Sequence, residues 1–222
     1  MIHIQHLYNN AKEILQSCFK DKVSFPIDVK AVAERLGIRI SCIPMAGLSN
    51  ENIRRVNSKI MQMSIFKNPF SGKREVELNV DSGIPLASKR FAIAYGIAEY
   101  ILHPDEKDLF ITYEVMPLCP KNESVLSAEI LALFLLMPAD IVLTELQEYL
   151  KERAELQERL TKREAQNFLP VSTEKWVKYL SERAGVTEYH AILGYQYARE
   201  LSCYISKNEW KEISYESTKI SE

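Results

Sequence analysis

The chain reads as an α+β protein, and three observations predict it. Three short segments with strand-like residues, 38–43, 60–66 and 74–80, fall together in the first half. Long segments with helical spacing of apolar residues stand before and after them. One of those, 85–102, is long and apolar, and another, 124–137, is apolar on nearly every side, which means burial rather than a solvated face. Helices, a small sheet and then helices again is the layout of an α+β domain, with the sheet antiparallel or mixed and packed against helices.

Taken in order, Ile4, Leu7, Ala11, Ile14, Leu15 and Cys18 mark a first helix. A second, short helix follows Ser24-Phe-Pro-Ile-Asp28; Asp28 is its expected cap and Gly37 its expected stop. Ile38 to Ile43 is a strand. A polar, Asn-rich loop occupies roughly 46–58. Ile60–Phe66 and Arg74–Val80 are strands joined by the turn Asn68-Pro-Phe-Ser-Gly72, which predicts a hairpin. Pro85 opens a long apolar helix that Pro104 stops. Residues 105–122, with Pro117 and Pro120, read as a loop. A buried helix at 124–137 comes next. The segment 141–166 carries eleven charges between Glu145 and Glu164, with a thin stripe of Leu143, Leu146, Leu150, Ala154 and Leu160. Trp176, Leu180, Ala184, Val186, Ile192 and Leu193 mark two final helices around Gly185. Three units follow: 1–140, a charged connecting helix at 141–168, and a C-terminal helical part at 169–222.

Composition bounds the function. Across 222 residues, 46% are hydrophobic and 26% charged, the ordinary balance of a globular protein able to build a core without staples. A net charge of −2 gives no general pull toward nucleic acid or an anionic membrane. Cys18, Cys42, Cys119 and Cys203 are scattered, with no Cys-x-x-Cys pair, which suits a reducing compartment. The first ten residues lack the cationic start and apolar run of a signal peptide, and the apolar stretch Ile130–Pro138 is too short to span a bilayer. The expectation is a cytoplasmic protein with no membrane segment.

The most informative stretch is Arg90-Phe-Ala-Ile-Ala-Tyr-Gly-Ile-Ala-Glu-Tyr-Ile-Leu-His103. A zinc-peptidase helix carries His-Glu-x-x-His, in which two His four residues apart reach one metal and the Glu takes a proton from the metal-bound water. Here those slots hold Tyr95, Gly96 and Glu99. The flanks nonetheless resemble the ImmA/IrrE family of zinc metallopeptidases, over roughly residues 10–200. Phe25-Pro-Ile-Asp-Val-Lys-Ala-Val-Ala-Glu-Arg-Leu-Gly-Ile38 is similar to the family's opening. Leu78-Asn79, then Lys89-Arg-Phe-Ala-Ile-Ala94, resemble its sheet strand and the lead-in to the motif; Leu102-His103 resembles the end of that helix. Leu135-Leu-Met-Pro138 resembles the close of its second active-site helix, and Leu180–Glu188 its helix-turn-helix-like C-terminal segment.

The resemblance implies a zincin-like fold, with a third zinc ligand on the second helix. That position falls on Val125 or Ser127, neither of which binds zinc well. All three ligand positions and the base thus depart from the pattern together. Zinc brings the pKa of bound water down to about 7, so a chain without it has no nucleophile of that kind at neutral pH. Tyr95 is large enough to fill the space of the ion and its water. The expectation is therefore no metal, no cofactor and no catalysis. Family members typically cut helix-turn-helix repressors of phages, mobile elements or stress responses, so the partner implied is a protein of that kind, bound and not cleaved. An extended peptide is expected to add to the sheet edge at Ile60, Gln62, Ser64 and Phe66.

Two alternatives stand beside it. An active zinc endopeptidase would need a relocated site built from Glu99, His103 and Glu129, with Glu123 as a further candidate; the plainer account of Glu99 and His103 is an i,i+4 ion pair. A dimeric interaction module would use the leucine stripe at 141–166 as a homodimer seam, where the plainer account is a solvated face. The segment Glu174–Glu200 holds four basic and four acidic residues, so it lacks the basic face that direct DNA binding requires; the resemblance implies that it packs on the core.

Overall fold

The computed structural model describes residues 3–20, 23–45, 59–104, 109–114, 123–159 and 173–202. Helices α1 (Ile4–Phe19) and α2 (Val29–Arg35) lead into strand β1 (Ile38–Ile43). Strands β2 (Lys59–Lys67) and β3 (Arg74–Asp81) precede helix α3 (Leu86–Leu102), strand β4 (Leu109–Glu114) and helix α4 (Glu123–Leu136). Helices α5 (Ala139–Arg159), α6 (Thr173–Ala184) and α7 (residues 188–202) complete the chain. The α+β class stands.

Local chemistry sets the boundaries. Asp28 accepts the free N–H groups of Lys30 and Ala31 at the start of α2, at 3.0 and 3.1 Å. Gly37 leaves that helix at φ +74°, where a side chain would be strained. Asn68 accepts from the N–H groups of Phe70 and Ser71, and Gly72 follows at φ +66°, closing the β2–β3 hairpin. α3 starts just past Pro85 and ends at His103, whose N–H returns to Glu99 O at 3.0 Å.

The four strands lie in the order β1-β3-β2-β4. β1 runs parallel to β3, while β2 is antiparallel to both β3 and β4, so the sheet is mixed. Met61 pairs with Val80, Met63 with Leu78 and Ile65 with Val76, and all six side chains are buried on one face. α3 packs across β2 and β3, α4 packs beside α3, and α1 covers α4, with Tyr8 edge-on to Phe134 at 5.5 Å. α4 buries every residue from Ala128 to Leu136, Glu129 among them, as a helix apolar on nearly every side must.

Three expectations change. The loop at 105–122 contains a strand, β4. Its Leu-Phe-Ile-Thr-Tyr-Glu is rich in β-formers, which outweigh the prolines that bracket it. β2 is consequently an interior strand. The buried face of α5 is set by Ala139, Val142, Glu145 and Tyr149, and not by the leucine stripe, since Leu150 is 46% exposed and Ala154 is also exposed. The 141–168 segment falls partly on α5; residues 160–168, Leu160 among them, and residues 169–172 and 203–222 lie outside the described residues.

No single helix among the described residues is long and apolar enough to cross a membrane. The segments Glu123–Leu136 and Ala139–Glu155 reach that composition only together, across a 51° bend at Pro138.

Candidate functional site

The peptidase-like positions sit in the middle of α3, where the helix crosses the sheet. Gly96 faces Leu78 of β3. A Cβ built on Gly96 would stand 2.5 and 2.9 Å from the two Leu78 methyl carbons, closer than real atoms pack. Leu78 is itself fully buried, so its methyl groups would have to shift within the packed core to admit a side chain at position 96. Gly96 is thus a close-approach glycine: it lets helix and sheet meet, which offsets the helix propensity it gives up. The space beside Gly96 is filled by a leucine from the sheet.

Tyr95 is 2% exposed, its ring 6.4 Å from that of Phe91 one turn earlier. Glu99 is also buried, and its Oε2 lies 3.3 Å from His103 Nε2, the pairing expected of residues four apart on one helix face. Arg74 of β3 closes this end of α3. It donates to the carbonyls of Pro104 at 2.6 Å and His103 at 3.4 Å, and its guanidinium lies 5.2 Å from the centre of the Tyr100 ring. A cation there complements the negative end of the helix dipole.

On α4, Ser127 donates its hydroxyl to Glu123 O at 2.8 Å, within its own helix, and Val125 is half-buried. The residues at the ligand positions therefore do not fit zinc: Tyr95 is packed in the core, Glu99 is paired with His103, and Val125 and Ser127 offer an alkyl group and an intrahelical hydroxyl. Glu129 is 5% exposed. Among the described residues, no three His, Cys, Asp or Glu side chains stand together as a metal-binding group, so Glu99, His103 and Glu129 do not form one.

The sheet edge also differs from expectation. β2 is bonded to β3 along one side and to β4 along the other, through Gln62↔Thr112, Met63↔Ile111 and Ser64↔Phe110. Ile60, Gln62, Ser64 and Phe66 line the face of β2 turned away from Met61, Met63 and Ile65, and at Gln62 and Ser64 the strand is flanked on both sides by β3 and β4. The outermost strands of the described sheet are β1 and β4.

The framing residues, by contrast, have clear structural work. Arg90 donates to the carbonyls of Gly185 (3.0 Å), Ala184 (3.2 Å) and Ile27 (2.7 Å). It thereby ties α3 both to the end of α6 and to the segment before α2. Burial pulls its guanidinium below the ordinary value, and Asp28 opposes that shift. Gly185 at φ +64° supplies the left-handed turn that aims its carbonyl at Arg90. Phe91 stacks on His190 of α7 at 3.8 Å.

Two further arrangements escape sequence pattern altogether. Glu145 of α5 binds Arg183 of α6 through two contacts of 3.1 and 2.7 Å and accepts from Tyr179 at 3.0 Å. The Arg183 hydrogen bonds hold the Glu145 carboxyl below its ordinary pKa against the opposing effect of burial. A cleft of about 310 Å³ opens between α4 and α7, lined by Leu126, Glu129, Ile130, Leu133, Tyr189, Leu193 and Tyr197. Helical spacing on α4 marks only a buried face, and nothing in it shows which helix will stand opposite.

The chain matches no protein-family model and no curated protein.

Proposed function

We propose that the chain is a non-catalytic, zincin-like relative of the ImmA/IrrE peptidases that acts by binding a protein, of the helix-turn-helix repressor class that such peptidases cut. The observation that carries this is the contact of Gly96 with Leu78. The slot for the general base is closed by the packing of helix on sheet, while the residues that frame it, Arg90 and Phe91, keep α3 anchored to α6 and α7. Support also comes from the first ligand position, where Tyr95 is buried in the core. A peptide that added to the sheet as a strand would use β1 or β4, since β2 is enclosed.

Metal analysis of the purified chain, together with cleavage and binding assays on helix-turn-helix repressors, tests the proposal. The expected result is saturable binding of a repressor with no cleavage and no stoichiometric zinc. Turnover dependent on bound zinc would overturn the non-catalytic part; absence of binding across a repressor panel would overturn the choice of partner.

A further inference from the structure

We propose that the cleft between α4 and α7 is a binding site for an aliphatic cation, of the class of a lysine side chain or a linear alkylamine. Leu126, Glu129, Ile130 and Leu133 form one stripe of α4 at spacings of three and four. Tyr189, Leu193 and Tyr197 form the facing stripe of α7, each four residues from the next. Four aliphatic side chains thus line a slot with a carboxylate in its wall and a tyrosine at each end of the α7 stripe. Tyr189 is 59% exposed and leaves the mouth open, whereas Glu129 is 5% exposed.

Each feature selects the ligand. A volume of about 310 Å³ lies at the lower end of small-molecule sites, roughly 300–1,000 Å³, which suits an unbranched chain better than a nucleotide. The aliphatic walls select methylene groups. Glu129 selects positive charge, and no basic side chain lines the cleft among the described residues. Glu129 already has contacts within the protein, so the ligand joins that environment and does not supply a missing partner. The phenols add ring faces on which an ammonium is attracted to the π electrons. Burial, then Glu200, Glu129 and Tyr189, raise the Tyr197 phenol above its ordinary pKa. An anion would be repelled by the Glu129 carboxylate, and a neutral alcohol would gain no charge attraction from it.

The site is independent of the peptidase resemblance and is tested without it. The full chain, isotopically labelled, is titrated with n-hexylamine hydrochloride, with hexanol and sodium hexanoate as comparators at equal ionic strength. The expected result is saturable shifts of Tyr189, Leu193 and Tyr197 resonances with the amine in the millimolar range, weaker binding of the alcohol and none of the carboxylate. Glu129→Gln should weaken amine binding by about tenfold. Equal affinity for hexanol and hexylamine, unchanged affinity in Glu129→Gln, or no saturable shift at those residues would overturn the proposal. If Glu129→Gln does not fold, Leu193→Trp, which fills the half-exposed side of the cleft, decides. Lost binding in a variant with the wild-type circular dichroism supports the site, and retained binding overturns it.

Discussion

Two regions of this molecule hold a helix in place by opposite means. Where α3 crosses the sheet, the contact is apolar and close: Gly96 against Leu78, with Met61, Met63 and Val80 buried on the same face. Where α5 meets α6, the contact is polar and aromatic. Glu145 is gripped by Arg183 and Tyr179, and Tyr149 lies 4.7 Å from Tyr179 and 5.4 Å from Trp176, ring centre to ring centre. The first region tolerates no added volume and carries little charge that titrates. The second can absorb small changes of shape but depends on pH. Tyr95, Gly96 and Glu99 all lie in the first kind of region, where any added side chain has to displace its packed neighbours.

The largest expected effect tests that claim. Gly96→Glu puts a carboxylate where a Cβ alone already collides with Leu78, and should destabilise the fold by at least about 3–5 kcal/mol, the range for an uncompensated buried charge. Gly96→Ala gains roughly 1 kcal/mol of helix propensity but overpacks the site by about 1–3 kcal/mol, for a smaller net loss. Leu78→Ala should relieve the second change, giving a favourable coupling of about 1 kcal/mol in a double-mutant cycle by urea unfolding. Additive losses would show that the contact is not what excludes a side chain at position 96.

Next in size is Arg90→Met. It removes three charge-assisted hydrogen bonds to carbonyls and leaves those groups short of donors, for an expected loss of about 2–4 kcal/mol in urea unfolding. Because Arg90 joins the close-packed helix to the end of α6, hydrogen exchange should rise around Ala184 and Gly185 before it rises in β3. Uniform acceleration through the sheet would mean that the two regions are one cooperative unit.

How much of this was legible in the sequence follows the same division. The apolar half was, because periodicity reports burial directly. The first helix, the Asp28 cap, the hairpin at Asn68–Gly72 and the Pro85–Pro104 helix all stand where spacing and turn residues place them. β4 was hidden because prolines on both sides of Leu109–Glu114 suggest a loop, whereas β-propensity and pairing with β2 decide it. That one strand also covers Gln62 and Ser64, the middle of the peptide-binding edge expected at Ile60, Gln62, Ser64 and Phe66. Nothing in the charged helix marks Glu145 as buried; only the position of Arg183, far along the chain, offsets the cost of burying it. Of the candidate site, Tyr95, Gly96 and Glu99 are plain in the sequence, but the reason Gly occupies position 96 lies in a strand eighteen residues earlier.

A smaller effect separates the regions by pH. Glu145→Gln keeps the shape but loses the charge opposite Arg183, whose side chain is half exposed, so about 1–2 kcal/mol is expected at neutral pH. The folded Glu145 carboxyl lies below its ordinary value of 4.5, so its contribution is present above that value and fades as pH falls through the folded value. The stability difference between wild type and Glu145→Gln should therefore be flat above pH 4.5 and shrink below it. A difference that persists undiminished into acid would assign the stabilisation to packing.

The smallest change lies at the border between the two regions. Tyr8 packs edge-on to Phe134 in the apolar interior, while its hydroxyl bonds Asp140 at the start of α5. Burial first, and Asp140 second, push the phenol from 10.0 up to about 12. A raised value means that stability is fully present below pH 10.0 and is lost as pH climbs toward about 12, because the unfolded chain gives up this proton first. Tyr8→Phe should cost about 1 kcal/mol at neutral pH through the lost hydrogen bond, and the gap to wild type should close between those two values. Tyr179 and Tyr197 are raised as well, but they are common to both proteins and cancel in the difference. If the gap instead stays constant to the alkaline limit, Tyr8 belongs with the close-packed helices alone, and the polar region begins only beyond Asp140.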